Sequence, residues 1–295
     1  MPGLADPRGV GASGIGSGAS HASTASRLEV LPAGSQAPAA GPVTNREAHR
    51  LAREKGVSGP LYALVRALLV PLLRGYFRMR ISGAEHIPRS GAAIIAPNHK
   101  SFWDSFFVAV ATPRHLRFMG KSELFEGRWG HLLVRLGAFP VRRGEADQDA
   151  LETAREILRQ GGLLALFPEG TRVRDPDSLG APRRGAGRLA LESGAPLVPA
   201  ALSGTERLFA GPLPRPRRVG VAFAEPIAVS ELPPTPRAAG ELIEGRLWPE
   251  VEQEFRRMRA RPGLIAAAVA AIGLGAGGLA VRRRAARRRR PWWRR

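Results

Sequence analysis

Residues 91–104 read GAAIIAP followed by NHKSFWD, an apolar run joined to a polar loop. The run is rich in Ile and Ala and ends at a proline, which is typical of a buried strand. Ser101 and Asp104 fit the Ser-x-x-acid pattern that opens a helix, and the apolar residues 106–110 continue it. The sequence therefore predicts a strand, a loop and a helix in that order, with His99 in the loop just past the strand.

His99 and Asp104 are the first candidates for catalysis. On one continuous helix their five-residue spacing would leave them about 140° apart, so a regular helix would not pair them. A loop histidine that folds back over the first helical turn can meet the carboxylate. The carboxylate would then fix the proton on one ring nitrogen and leave the other free to act as a base. The alternative is that Asp104 only caps its own helix.

A second apolar run, residues 163–167, also leads through a proline into Glu169-Gly170-Thr171-Arg172. This motif should therefore lie in a loop past a strand end, and in open α/β sheets such loops gather into one crevice. The planar guanidinium of arginine suits phosphate oxygens, so Arg143 and Arg172 are candidates for an anion clamp. Taken alone, Glu169 also fits an ordinary turn residue that pairs with a nearby arginine.

These motifs resemble the signature blocks of a known family. His-x4-Asp and Phe-Pro-Glu-Gly-Thr-Arg are similar to the first and third blocks of the glycerophospholipid acyltransferases, typified by 1-acylglycerol-3-phosphate acyltransferase. Residues 137–143 (GAFPVRR) and 197–200 (LVPA) resemble the second and fourth blocks. Residues 120–125 (GKSELF) resemble the family's segment between the first two. All four blocks occur in the family's order.

The resemblance implies a reaction and a set of site residues. His99 would remove the proton of an acceptor hydroxyl, which attacks the thioester of an acyl-CoA or acyl-carrier protein, while Asp104 holds the imidazole. The expected acceptor is lysophosphatidic acid, giving phosphatidic acid in phospholipid synthesis; glycerol-3-phosphate and other lysophospholipids are alternatives. The expected substrate-binding residues are Arg143, Glu169, Gly170, Thr171 and Arg172. Such direct transfer needs no acyl-enzyme, and the chain has no cysteine and no Gly-x-Ser-x-Gly nucleophile elbow.

Composition limits the remaining function classes. The 295 residues suffice for one α/β domain with appendages. The 45 Lys and Arg against 25 Asp and Glu give a net charge of +20, which indicates an anionic partner. No His pair has metal-ligand spacing, so no metal is expected, and no cofactor beyond the acyl donor as co-substrate. Binding of nucleic acid would explain the arginines but not the four ordered blocks. A catalytically inactive scaffold protein is the other alternative, but every motif residue is retained, which such a protein would not need.

The predicted organisation has four parts: a disordered Gly/Ala/Ser/Pro-rich arm over 1–45, a membrane-interfacial helical segment over 46–82, the catalytic domain over 83–260, and an apolar helix with an Arg/Trp-rich tail over 261–295. Within the second part, the apolar stretch 60–74 is short for a membrane span and contains arginine. An interfacial helix is therefore expected, with an ordinary core helix as the alternative.

The tail is a second candidate for membrane binding. Segment 263–281 is uncharged, and the arginines and the pair Trp292-Trp293 that follow it suit an anionic lipid interface. Gly273 and Gly277 would let two such helices approach closely, which predicts a homodimer through this segment. We expect the protein at the cytoplasmic face of the cell membrane, either peripheral or with a C-terminal membrane helix, and favour an interfacial arrangement of the tail over a span.

Alternating apolar patterns predict the fold class. The sequence favours an α/β fold with a mixed, mostly parallel sheet flanked by helices, an N-terminal interfacial helix and a C-terminal apolar helix. The further elements expected are a strand near 77–81, a helix over 149–160, a short helix over 187–193, strands over 196–202 and 219–223, and a helical region over 238–260 broken before Pro249.

Overall fold

The computed structural model describes residues 43–142, 144, 147–210 and 213–260. All of the described residues belong to one compact unit. The predicted arm over 1–45 is therefore described only from Val43 onward, and the predicted tail over 261–295 lies outside the described residues. Arg143 lies outside them as well.

Seven α-helices precede residue 241 in the described part of the chain: α1 Asn45–Glu54, α2 Gly59–Tyr76, α3 Asp104–Ala111, α4 Gly130–Arg135, α5 Gln148–Arg159, α6 Gly185–Ser193 and α7 Pro236–Gly240. A π-helical segment, Glu241–Leu247, follows α7, and residues 248–260 continue as a C-terminal helix. The strands are β1 Arg80–Ser82, β2 Ala93–Pro97, β3 Leu116–Lys121, β4 Ala138–Val141, β5 Leu163–Ala165, β6 Leu197–Ser203, β7 Phe209–Ala210, β8 Leu213–Pro214 and β9 Gly220–Phe223.

Seven of the strands form one sheet in the order β1-β9-β6-β2-β5-β3-β4, and β7 and β8 form a separate ribbon. Every neighbouring pair in the large sheet is parallel except β6 with β9. The predicted mixed, mostly parallel sheet flanked by helices is thus confirmed. Because β2 and β5 run in parallel side by side, the loops that follow them leave the sheet at the same edge. This topology brings the motifs after the two strands together.

Strand β2 is apolar along its whole length because it is buried on both faces. Successive side chains of a strand point to opposite faces. Ile94 packs in the cluster that contains Ile157 of α5, and Ile95 packs in the cluster that contains Phe107 of α3. The apolar run that ends in the NHKSFWD loop therefore anchors that loop from two sides.

Helices α1 and α2 differ in how they meet the rest of the domain. In α1, Ala48, His49 and Ala52 are buried, and the Nδ1 atom of His49 lies 2.9 Å from the Thr153 hydroxyl of α5. In α2 a row of leucines points outward: Leu64, Leu68 and Leu72 are 60%, 66% and 51% exposed. Among the described helices none is by itself long and apolar enough to cross a membrane. Only α1 and α2 taken together, with a 99° bend between them, have the length and composition to do so.

Two predicted elements differ from the observed ones. The strand expected over 77–81 begins only at Arg80, because α2 runs on to Tyr76 and Arg78 adopts a positive φ of 43°. The break expected before Pro249 is not a break, since residues 248–260 remain helical. Proline lacks the N–H of a regular helix and its ring clashes with the preceding turn. The wider π-helical segment Glu241–Leu247, directly before it, absorbs that irregularity.

Candidate active site

His99 and Asp104 lie in contact where the loop after β2 enters α3. The Nδ1 atom of His99 is 2.9 Å from the Oδ2 atom of Asp104, and the two residues are 6% and 0% exposed. Because an ionised carboxylate only accepts hydrogen bonds, this contact favours the tautomer with the proton on Nδ1. The Nε2 atom is then left without a proton and can accept one.

The carboxylate of Asp104 also organises the loop itself. Its Oδ2 atom accepts hydrogen bonds from the backbone N–H groups of Lys100 and Ser101, at 2.6 and 2.7 Å. The capping pattern had placed the helix start at Ser101, but helix α3 begins at Asp104. The pairing of His99 with Asp104 expected from the sequence is present, whereas the alternative, in which Asp104 only caps its own helix, is wrong, since no side chain caps α3. One oxygen of Asp104 instead holds the loop backbone and the imidazole together.

Phe167 packs against the histidine from the neighbouring strand end. Its ring stacks on the His99 imidazole with the centroids 4.1 Å apart and the planes inclined by 27°. The stacking limits rotation of the imidazole about its side-chain bonds. Sequence reasoning did not assign Phe167 a role, although it opens the FPEGTR motif.

Glu169 is buried beneath the loop, with 3% of its surface exposed. Its Oε2 atom accepts a hydrogen bond from the backbone N–H of His99 at 2.7 Å, and its Oε1 atom accepts one from Gly180 at 2.8 Å. Burial raises the pKa of this carboxyl group, against the two backbone hydrogen bonds that lower it. Within the described residues no arginine forms an ion pair with Glu169, so its carboxylate holds the loop backbone in place.

Gly170, Thr171 and Arg172 are exposed beside the His99 loop. Val173, the next residue, donates a backbone hydrogen bond to the His99 carbonyl at 2.8 Å. Gly170 has a φ of +67°, and a Cβ atom placed on it would lie 3.1 Å from the Nε atom of Arg183. The FPEGTR loop therefore follows the edge of the histidine site.

Arg183 is a candidate that sequence reasoning missed. Its side chain is exposed and lies against Gly170, and its backbone N–H donates to the Pro168 carbonyl at 2.8 Å. Only packing reveals this position, because nothing in the local pattern separates Arg183 from the many other arginines of the chain.

The second sequence block, residues 137–143, contacts the start of helix α5 through Arg142. The backbone N–H of Arg142 donates to the Asp147 carboxylate at 2.8 Å, and its Nη2 atom lies 3.5 Å from the same group. Asp147 in turn accepts a hydrogen bond from the Ala150 N–H in the first turn of α5, at 3.2 Å. Arg142 thus braces the start of α5 through Asp147.

Lys100 is a further residue whose role the sequence did not indicate. It is 2% exposed, and its ammonium group donates to the Asp175 carbonyl at 2.6 Å and to the Ser178 carbonyl. The ammonium also lies 5.0 Å from the centroid of the Phe255 ring in the C-terminal helix. Burial lowers the pKa of Lys100. The side chain ties the segment after the FPEGTR motif to the residue next to His99.

A narrow apolar pocket lies between α2 and α3. Its wall includes Leu69, Phe106 and Phe118. Phe106 also packs on Trp103, with ring centroids 5.2 Å apart, so aromatic side chains lead from the His99 loop to the pocket. The described residues hold no group of three or more His, Asp or Glu side chains placed to bind a metal ion.

Residues 78–203 match the family model described as Acyltransferase. This segment is similar to the Acyltransferase family. The matched segment contains His99, Asp104 and the FPEGTR loop, and it lies almost wholly within the part of the chain that the structure describes.

Named relatives are similar to part of the chain. The chain is 33% identical over 128 residues to a 1-acyl-sn-glycerol-3-phosphate acyltransferase of Bacillus subtilis (strain 168), covering 43% of this chain and 63% of that protein. It is 34% identical over 183 residues to the enzyme of the same name from Limnanthes douglasii, covering 60% of each chain. The match therefore spans less than two thirds of either relative.

A solved structure shares the fold. The crystal structure of the 1-acyl-sn-glycerophosphate (LPA) acyltransferase PlsC from Thermotoga maritima superposes with a TM-score of 0.53 at 20% sequence identity, covering 68% of this chain and 83% of that chain. At this level of identity the likeness concerns the fold alone.

Proposed function

We propose that this protein is a glycerolipid O-acyltransferase that moves an acyl chain to the free hydroxyl of lysophosphatidic acid, giving phosphatidic acid. The observation that carries the proposal is the buried contact of 2.9 Å between His99 and Asp104, at the sheet edge that also bears the FPEGTR loop. The names of the sequence relatives support this acceptor. The donor would be an acyl-CoA or acyl-carrier protein, with no further cofactor.

His99 would act through the nitrogen that does not face Asp104. Nε2 accepts the proton of the acceptor hydroxyl while the hydroxyl oxygen bonds to the thioester carbonyl carbon. When the tetrahedral intermediate collapses, the C–S bond breaks and the leaving thiolate takes the proton from the imidazolium. Asp104 stabilises that imidazolium between the two steps. A positioned base contributes roughly 10²- to 10⁴-fold, and holding the two substrates together must supply the rest.

The acceptor's phosphate would bind to arginines at the rim of this site. Arg172 and Arg183 are both exposed, one in the FPEGTR loop and the other against Gly170 of that loop. Neither forms an ion pair with a carboxylate among the described residues. Two arginines at this loop suit a phosphate monoester, because one guanidinium group can donate two parallel hydrogen bonds to phosphate oxygens. Arg143, expected from the sequence to join them, remains part of the proposal.

The acyl chains and the membrane would lie on the α2 side of the domain. The pocket between α2 and α3 is apolar, and Leu64, Leu68 and Leu72 give α2 an outward apolar face. An apolar face on a chain with a net charge of +20 suits the surface of an anionic membrane. We extend the proposal to the cytoplasmic face of the cell membrane, with the tail over 261–295 as a second contact and a homodimer through segment 263–281.

The test is acyl transfer by the purified full chain. Labelled acyl-CoA or acyl-carrier protein is offered with lysophosphatidic acid, glycerol-3-phosphate or other lysophospholipids, and the products are separated by mass. We expect phosphatidic acid from the wild type and a loss of roughly 10²- to 10⁴-fold in kcat for His99→Ala. The matched control His86→Ala removes an imidazole that instead faces Glu225, at 3.1 Å, and should keep full activity.

Two outcomes would count against the proposal. Transfer that survives in His99→Ala would remove the base from the mechanism. A wild type that acylates only glycerol-3-phosphate or a different lysophospholipid would keep the chemistry and change the acceptor.

A further inference from the structure

A second cavity lies at the end of the sheet opposite His99. It has a volume of about 490 Å³, and its wall includes Leu163, the first residue of β5. Leu163 pairs with Ala93 at the start of β2, whereas His99 follows the end of that strand. Five strand residues separate the two ends by roughly 13 Å. The cavity is therefore distinct from the acyltransferase site.

The titratable side chains in the described wall of this cavity are all basic. Arg114, His115 and Arg117 all line it, and its described wall contains no Asp or Glu. Arg114 is held in place because its guanidinium donates to the carbonyls of Pro88 and Gly161 at 2.9 and 2.7 Å. Fixed cations without carboxylates make a concave surface of positive potential, which attracts anions.

Arg117 is the most unusual member of the group. It is only 6% exposed, and its buried Nε atom has no hydrogen-bond partner. Its Nη2 atom donates a hydrogen bond to the Ala52 carbonyl at 2.6 Å. This carbonyl lies in the last turns of α1, so one donor of the guanidinium group caps that helix. Burial lowers the pKa of Arg117 to about 10, so the group is still charged at neutral pH. Because Arg117 lines the cavity, an anion bound there would lie next to this buried charge and offset the cost of its desolvation.

The cavity also touches the bend between α1 and α2. Gly56 in that linker has a φ of +60°, and a Cβ atom placed on it would lie 3.3 Å from the Nη1 atom of Arg117. The next residue, Val57, is part of the cavity wall. His115 packs on Tyr62 of α2 with ring centroids 4.7 Å apart. An anion bound here would thus lie beside the linker that leads from α1 into α2.

We propose that this cavity binds a phosphate-class anion, a phosphate monoester or diphosphate, through Arg114 and Arg117, with His115 at the rim. The paired guanidinium groups suit the several oxygens of such a ligand better than a single carboxylate. The same chemistry is offered by a soluble phosphate ester and by the headgroup of an anionic lipid. The site takes no part in the acyl transfer proposed above.

Binding is measured by isothermal titration calorimetry on the full chain carrying Arg172→Gln, which weakens phosphate binding at the acyltransferase site. Inorganic pyrophosphate represents the soluble ligand, and a short-chain phosphatidic acid below its micelle concentration represents the headgroup. We expect saturable binding that Arg117→Met weakens roughly 10- to 100-fold, the usual effect of removing a hydrogen-bonded charge. His115→Glu should weaken it as well, because it introduces a negative charge at the rim.

His115→Glu keeps the test decisive if Arg117→Met does not fold, since residue 115 is exposed. Arg237→Gln is the matched control: it also lowers the net charge by one, but Arg237 pairs with Glu241 at 2.8 Å, away from the cavity residues. Weaker binding of pyrophosphate alone identifies a soluble phosphate ester, and weaker binding of phosphatidic acid identifies a lipid headgroup. Affinities for both ligands that match the Arg237→Gln control would overturn the proposal.

Discussion

The ring of Phe167 lies on the imidazole of His99, with the centroids 4.1 Å apart, while Asp104 holds the same imidazole from its edge at 2.9 Å. The histidine is thus fixed in two directions, by a residue of the loop after β5 and by the first residue of α3. A base that serves a large lipid acceptor has to keep Nε2 aimed at one point. Stacking and hydrogen bonding together supply that orientation.

Replacing Phe167 with alanine should slow catalysis without abolishing it. The stacked contact corresponds to a loss of about 2- to 10-fold in kcat, since aromatic pairs contribute roughly 0.5–1.5 kcal/mol. The KM for the acyl donor should change little. Steady-state kinetics check this, with Phe167→Leu as the control that keeps apolar bulk beside the ring. An alanine variant with the wild-type kcat would show that the stacking does not orient the base.

Asp104 should give different results as asparagine and as alanine. Asp104→Asn keeps an oxygen for the backbone N–H groups of Lys100 and Ser101 but cannot stabilise an imidazolium, so kcat should fall roughly 10²- to 10⁴-fold with stability almost unchanged. Asp104→Ala should lose both, at about 1–3 kcal/mol of unfolding free energy for each buried donor left unpaired. Urea denaturation and kinetics separate the two effects. Equal stability losses in both variants would contradict the double role.

Lys100 should affect acceptor binding more than protein stability. Lys100→Met removes a buried charge that costs free energy by itself, so the free energy of unfolding should change little. The segment around Asp175 and Ser178 loses its tether, and kcat/KM for the acceptor should fall roughly 10- to 100-fold through misplacement of the neighbouring loop. Lys55→Met, at an exposed position, is the matched control. A variant with normal kcat/KM would show that the contacts of Lys100 do not position the loop for the acceptor.

The structural features that the sequence predicted correctly depend on residues that are close together in the chain. The strand over 91–97 and the approach of His99 to Asp104 follow from a pattern that spans a few positions. The contacts that sequence reasoning missed join distant positions: His99 meets Glu169 70 residues on, and Lys100 meets Asp175 75 residues on. Such partners are decided by which strands become neighbours, and no local periodicity specifies that order. The role of Glu169 shows the difference, since an expected partner of arginine proved to hold backbone N–H groups.

His49 should make the unfolding free energy depend on pH. It is 4% exposed, and burial lowers its pKa below the ordinary 6.5, against Asp147 and Asp149, which raise it. Between the lowered pKa and 6.5 the unfolded chain binds more protons than the folded one. Stability is therefore full above pH 6.5 and is lost as the pH falls through the pKa of the folded state.

His49→Gln keeps a side chain able to bond to the Thr153 hydroxyl but removes the titration. The wild type should therefore lose stability relative to this variant as the pH is lowered from neutral to mildly acidic values. Urea denaturation at a series of pH values measures the difference. His86→Gln is the control, because the side chain of His86 is 28% exposed and contacts Glu225. Parallel curves for the wild type and His49→Gln would mean that α1 does not bury a neutral imidazole, and that its docking on α5 is looser than the 2.9 Å contact indicates.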